Sequence, residues 1–220
     1  MSSNHRYEIK YILDTVDLSN ALSWIYTKTN FSELYNSRVV NSLYLDDLDF
    51  SCVKDNLSGA VSRKKTRLRW YDNNRDSKPS LEFKFRDGRL GYKKSYLIGE
   101  LEGILFDINV NEIMTIIGNS VIFEQYMSPT LQVCYERRYF QNLDDIRITL
   151  DTNIKFYQPT LFSKLYSSVP KAYPYAIMEI KFGTNNKYNV ANIIRPTFIT
   201  PKRHSKYLIG LASLGVAVYI

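Results

Sequence analysis

Polar and apolar side chains alternate with period two along most of this chain. In Arg6-Tyr7-Glu8-Ile9-Lys10-Tyr11-Ile12, one face carries Arg6, Glu8 and Lys10, and the other carries Tyr7, Ile9 and Tyr11. Ser42, Tyr44 and Asp46 stand opposite Leu43 and Leu45, and Lys65, Arg67 and Arg69 stand opposite Leu68 and Trp70. Glu82, Lys84 and Arg86 oppose Leu81, Phe83 and Phe85; Arg147, Thr149 and Asp151 oppose three aliphatics; Glu179 and Lys181 oppose Met178, Ile180 and Phe182. Side chains alternate across a strand, so each segment predicts a strand with one apolar and one charged face. Asp87-Gly88 between two such runs predicts a hairpin. Two stretches shift to helical spacing. Leu18, Ala21, Leu22 and Ile25 follow Asp17, read as an N-cap, and Ile113, Met114, Ile116 and Ile117 follow Asn111 and end at Gly118. No linker or repeat divides the chain, so residues 1–220 are read as one domain.

A half-buried antiparallel sheet accounts for any one of these strands. Taken together they have polar faces that repeat Arg, Lys and Glu at every second position, with few small polar residues between. A closed antiparallel sheet fits that content, with its apolar face packed outward against helices and its charged face lining an interior. Such an interior is costly when empty, because two like charges about 4 Å apart repel by roughly 4 kcal/mol at an effective dielectric near 20. Interior carboxylates offset part of this, and a bound polyanion offsets more. Arg forks and Lys point charges suit phosphate oxygens, and carboxylates suit a divalent ion.

Composition narrows the picture only a little. A hydrophobic fraction of 45% and a charged fraction of 23% exclude a disordered chain. The formal net charge of +7 points to a polyanion without saying which. Cys52 and Cys134 make no disulfide framework and read as reduced, partly buried thiols. No apolar leader follows Met1, so a cytoplasmic location is expected. The apolar run 207–220 is shorter than the roughly 20 residues that span a bilayer. It reads as a terminal element packed on the core, with contact to a membrane-protein partner as the alternative. His5 and His204 lie in basic contexts and read as rim residues. Neither a nucleophile–histidine constellation, a phosphate-cradling Gly-rich loop nor zinc spacing is present.

Eight short motifs occur in an order that resembles a known family. They are Arg6-x-Glu8-x-Lys10-Tyr11, Ser42-Leu43-Tyr44-Leu45-Asp46, Lys65-x-Arg67-x-Arg69-Trp70-Tyr71, Leu81-Glu82-x-Lys84, Tyr135-x-Arg137, Arg147-x-Thr149-x-Asp151, Met178-Glu179-x-Lys181 and Ser205-Lys206-Tyr207. This series is similar to that of VTC domains, the polyphosphate polymerase branch of the CYTH-like triphosphate tunnel metalloenzymes. The resemblance implies a mainly β (α+β) fold: an antiparallel eight-stranded β-barrel tunnel with a few helices packed outside. It implies transfer of the ATP γ-phosphoryl group onto a growing polyphosphate chain, with release of ADP and a need for Mn²⁺ or Mg²⁺. ATP and polyphosphate are the partners it implies, and no nucleic acid.

Carried over position by position, the resemblance makes Lys10, Arg67, Arg69, Arg137, Arg147 and Lys206 catalytic phosphate contacts. Lys65, Lys84 and Lys181 add phosphate-binding charge, as does one of Lys93 and Lys94, whichever faces inward. Tyr44 and Ser205 become hydrogen-bond donors to phosphate. Glu179 matches the metal-binding glutamate, with Glu8 and Glu82 as second-choice ligands. Arg138 and Arg203 each neighbour a better match. Hydrolytic relatives often carry Glu-x-Glu-x-Lys on the first strand, whereas here the first position is Arg6, which removes a metal ligand and strengthens phosphate binding. That favours the polymerase. A metal-dependent triphosphatase and a non-catalytic polyphosphate- or RNA-binding module are the competing readings. Trp70 lies on the face opposite Arg67 and Arg69, which suits core packing better than stacking on bases.

Overall fold

The period-two segments become strands and the helical stretches become helices. The computed structural model describes residues 6–88, 90–195 and 199–216. In chain order the elements are β1 (Arg6–Leu13), α1 (Thr15–Lys28), β2 (Ser32–Asp46), α2 (Ser51–Leu57), β3 (Ser62–Tyr71), β4 (Ser80–Asp87), β5 (Leu90–Leu97) and α3 (Val110–Ser120). They continue as β6 (Ser128–Gln141), β7 (Arg147–Tyr157), β8 (Lys171–Ala172), β9 (Ala176–Gly183), α4 (Lys187–Ile194) and α5 (Lys206–Ser213). Asp14, not Asp17, caps α1: its carboxylate accepts from the Asp17 N–H at 2.8 Å, and Asp17 then sits in the first turn, where the helix dipole favours an acid. Asn109 caps α3 in a reciprocal capping box with Glu112, and the helix runs two residues past Gly118.

All pairings are antiparallel, in the order β1-β9-β7-β6-β2-β3-β4-β5, with β8 alongside β7. Eight strands therefore form the wall, as the resemblance implied. The end strands β1 and β5 bring Cα atoms within 8 Å of each other. Among the described residues no backbone ladder joins them; the seam is crossed by a side-chain ion pair, Lys84 Nζ to Glu8 Oε2 at 3.3 Å.

Two apolar clusters hold the outer face. α1 and α4 bury Ala21, Trp24, Ile25 and Val190 against Tyr11, Leu13, Ile148, Leu150, Met178 and Ile180. α3 buries Val110, Ile113 and Ile117 against Leu43, Leu45, Leu68, Trp70, Leu81 and Phe83. Trp70 is fully buried there, on the core face that its parity predicts.

Those helices pack outside, as the resemblance implied; the third cluster adds one on the inner face. α5 places Tyr207 and Leu211 against Tyr44, Val133, Leu131, Tyr135, Phe156 and Ile177, all on the inner face of the sheet. Tyr44 and Tyr207 stack at 5.0 Å, and the Tyr207 hydroxyl donates to Asp46 at 2.7 Å. Gly210 makes this approach feasible: a Cβ there would meet Leu131 Cδ2 at 2.6 Å and Phe156 Cδ1 at 2.8 Å. The inner face is apolar at this end, so burying Leu211 alone contributes roughly 1.5–3 kcal/mol and draws the helix in. The start of the apolar C-terminal run is thus a packed element; residues 217–220 and His5 lie outside the described residues. No described helix is long and apolar enough to cross a membrane.

Candidate functional site

Directly opposed residues in an antiparallel ladder share a face, so the register assigns each charged side chain to the lumen or to the outside. Glu8, Lys181 and Arg147 are aligned across β1, β9 and β7, and one step deeper Lys10, Glu179 and Thr149 are aligned. Ser42 and Arg69, then Tyr44 and Arg67, oppose each other across β2 and β3, and Arg67 opposes Glu82 and Lys65 opposes Lys84 across β4. Lys93 opposes Lys84, whereas Lys94 opposes Phe83. Lys93 is therefore the inward lysine, and its Nζ reaches Glu82 Oε1 at 2.7 Å. Lys94 is corrected to the outer face, where its Nζ lies 5.9 Å from the Phe85 ring centroid. Arg138 is likewise outside, paired with Glu33 at 2.6 Å.

One wall, on β2, β3 and β4, is dominated by cations. Arg67 donates through Nε (2.8 Å) and Nη2 (2.7 Å) to Glu82 Oε2, and through Nη1 to the Tyr44 hydroxyl at 3.2 Å. Arg69 donates to Ser42 Oγ and, at 3.2 Å, to the Tyr135 hydroxyl. Lys65 donates to Ser205 Oγ at 3.0 Å. Burial raises the Tyr44 pKa, yet Arg67, Arg69 and Lys65 outweigh it and bring the phenol down to about 8. Burial, with Lys10 and Arg63 behind it, lowers Lys65 despite the opposing influence of Cys52 and Tyr44. Glu82 is also buried, but Arg67, Arg69 and Lys93 hold its carboxyl down at about 2.

The facing wall, on β1 and β9, alternates its signs. Lys10 Nζ lies 2.9 Å from Glu8 Oε1 and 3.3 Å from Glu179 Oε1, and Lys181 lies 3.0 Å from Glu179 Oε2. Burial and mutual repulsion push the Glu8 carboxyl up, but Lys10, Lys84 and Lys181 bring it to about 2. Glu179 is held well below the carboxylate range by Lys10 and Lys181, against its own burial. Both carboxylates are ionised at neutral pH.

Asp151 was not assigned a role from the sequence. It is fully buried and accepts from Arg137 (2.5 and 2.7 Å) and from Lys206 (2.5 Å), so it fixes two of the expected phosphate contacts. Its place on the face of Arg147 and Thr149 was the available signal. Arg6 and Arg147 sit at the lumen rim, both paired with Asp145, at 3.3 and 3.0 Å. Ser205 caps α5, its Oγ accepting from the Leu208 N–H. His204 is buried and not a rim residue, and its carbonyl accepts from Lys10 at 3.2 Å. Burial, with Lys206 and Lys10, lowers its imidazole to about 3, so the ring is neutral.

Among the described residues no group of three or more His, Cys, Asp or Glu side chains is placed to hold a metal ion. Glu8 and Glu179 are nonetheless two ionised hard-oxygen donors gathered on one ammonium. A Mg²⁺- or Mn²⁺-type ion typically takes one or two carboxylates and completes its shell with substrate phosphates, so this pair fits it. Glu82 is occupied by Arg67 and Lys93 and stands apart from that pair.

Comparison with known families matches residues 5–215 to the VTC domain. No curated protein sequence matches. Among solved structures, the PH1819 protein of Pyrococcus horikoshii superposes with a TM-score of 0.55 at 13% identity, covering 94% of this chain and 98% of that one. A putative adenylate cyclase from Vibrio parahaemolyticus gives 0.54 at 11% identity, covering 96% and 99%. A putative adenylyl cyclase from Hippeastrum, described as having a dominant triphosphatase activity, gives 0.50 at 14%, covering 94% and 95%. At these identities the likeness shows the fold, which is the triphosphate tunnel fold.

Proposed function

The chain belongs to the VTC domain family, and from that membership we propose that it is an ATP–polyphosphate phosphotransferase working inside its cation-lined lumen. It moves the γ-phosphoryl group of ATP onto the end of a polyphosphate chain and releases ADP. The observation that carries the reading is the surplus of positive charge on the β3 wall, registered in the phenol of Tyr44, which has been drawn down to about 8. Phosphoryl transfer asks the protein mainly for in-line placement and neutralisation of the moving charge. Arg67 and Arg69 offer planar forks to phosphate oxygens. Arg137 and Lys206, fixed by Asp151, hold a second stretch of anion, and Lys10, Lys65, Lys84, Lys93 and Lys181 add point charge. Arg6 and Arg147 receive the anion at the rim. Tyr44 and Ser205 donate hydroxyl hydrogen bonds. The attacking group is already an anionic phosphate oxygen, so no general base is required. Glu8 and Glu179 would hold Mn²⁺ or Mg²⁺, which when bound neutralises charge on the phosphate oxygens.

A second reading is a metal-dependent triphosphatase. It is favoured by α5, which packs on the inner face and leaves less room for a chain to run through. Purified protein given ATP and Mn²⁺ separates the two. Long polyphosphate with stoichiometric ADP supports the polymerase, free phosphate alone supports the triphosphatase, and no turnover of ATP or tripolyphosphate removes both.

A further inference from the structure

Beyond its charged middle, the inner face continues into an aromatic rim that phosphate binding leaves unused. Tyr35 opposes Tyr139, and Arg38 opposes Arg137, across β2 and β6. A register shift between Tyr35 and Arg38 adds a residue to β2 and keeps both on the face of Arg137. Tyr71 joins that face from β3, opposite Val40. The Tyr35 and Tyr139 rings meet edge to face, with centroids 5.8 Å apart and planes at 80°. The Arg38 guanidinium lies 5.3 Å from the Tyr35 ring centroid. Tyr35 is 52% exposed and Tyr71 36% exposed, although both lie on the inner face of the sheet. Tyr139 is two residues from Arg137 on the same strand face, about 7 Å along β6. Arg69 and Tyr135 are its electrostatic neighbours as well.

We propose that this rim receives the nucleobase of a nucleoside triphosphate whose phosphates lie along Arg137, Arg69 and Arg67. The proposal rests on the reading of the lumen as a phosphate site, and it names the organic part of the donor. A polyphosphate chain has no use for π-faces, whereas a base stacks on a tyrosine and also meets a guanidinium plane. Every base has a π-face, so this contact tolerates purines and pyrimidines alike. The phosphates, bound deeper, set the register of the nucleotide.

The test is equilibrium binding of ATP and of inorganic tripolyphosphate, both with Mg²⁺ at matched ionic strength, to the wild type, Tyr35→Ala and Tyr35→Phe. Tyr35 is exposed, so its truncation leaves the fold intact, which a melting curve checks. Tyr35→Ala is expected to weaken ATP about 5- to 150-fold, the range for one stacked base. Tripolyphosphate should change less than about twofold, and Tyr35→Phe should keep the wild-type affinity for ATP. ATP binding insensitive to Tyr35→Ala, with tripolyphosphate still bound, overturns the rim alone. An equal loss for both ligands also overturns it, because the ring would then serve phosphate. Failure of either ligand to bind the wild type removes the phosphate reading itself.

Discussion

The two walls of the lumen are built from the same residue types and differ in how those residues answer each other. On β1 and β9 every carboxylate touches two ammonium groups: Glu8 meets Lys10 and Lys84, and Glu179 meets Lys10 and Lys181. The consequence is mutual reinforcement, with Glu8 drawn down to about 2 and Lys10, for all its burial, held above the ordinary lysine range. On β3 Arg67 and Arg69 share the carboxylate Glu82, which Lys93 also claims, while Lys65 turns to the Ser205 hydroxyl. There the surplus field falls on whatever titrates nearby, and a phenol gives way. The first wall is nearly neutral and presents paired oxygens; the second carries more cations than its carboxylate Glu82 balances. A ligand that brings negative charge with its own metal ion would address both walls at once.

The sharpest way to break this contrast is to remove the fork at its centre. Arg67→Met takes away a guanidinium and leaves Glu82 to Lys93 and Arg69, so the carboxylate keeps partners and the fold survives. Charge-assisted hydrogen bonds contribute about 1.5–3 kcal/mol each, so tripolyphosphate affinity should fall about 100-fold or more, with turnover falling at least as far. Arg67→Lys retains the charge but not the planar pair of donors, and about a tenfold loss is expected. Calorimetric titration of both variants reads these values; an affinity within twofold of wild type for Arg67→Met would remove β3 as the binding wall.

The opposite wall should respond in the opposite sense. Glu179→Gln deletes a charge proposed to hold the metal and leaves Lys10 and Lys181 less neutralised, so phosphate binding should hold or tighten slightly. Turnover that depends on Mn²⁺ or Mg²⁺ should drop by about 100-fold. Activity at wild-type level in Glu179→Gln, across a metal titration, contradicts the metal assignment.

Much of this contrast was legible from parity alone. Alternation placed Arg67 with Arg69 and Glu179 with Lys181, and it assigned Trp70 to the core, because a strand leaves each side chain only two directions. Where parity could not choose, the reading split, as with the adjacent Lys93 and Lys94; the register of β5 against β4 decides that case. For α5 the reading stopped at a terminal element packed on the core, without choosing a side. An apolar helix can pack on either apolar surface of a tunnel, and only the close approach at Gly210 shows that it chose the inside. The α1 cap was missed because Asp14 and Asp17 both satisfy the sequence rule, and a backbone N–H direction separates them. Asp151 carried a strand-face signal without a role, since its two cations come from β6 and from α5, far apart in sequence.

The smallest expected effect sharpens the contrast most specifically. Despite burial, Arg67, Arg69 and Lys65 bring the Tyr44 phenol down to about 8, below the ordinary phenol range. Its folded pKa is depressed, so its contribution to stability is fully present above about pH 10 and is lost as the pH falls through about 8. Phosphate affinity runs the other way: above about pH 8 the phenolate neutralises the field that the anion would otherwise fill, and a hydrogen-bond donor is lost. An absorbance titration should therefore show one tyrosinate appearing near pH 8 that is absent from Tyr44→Phe. Tripolyphosphate should suppress that early ionisation, since a phosphate beside Arg67 satisfies the same cations. The variant should bind tripolyphosphate only a few-fold more weakly at pH 7 and show a flatter decline above pH 8. Identical titrations for wild type and Tyr44→Phe would mean that the β3 cations are already balanced, and the asymmetry between the walls would lose its electrostatic basis.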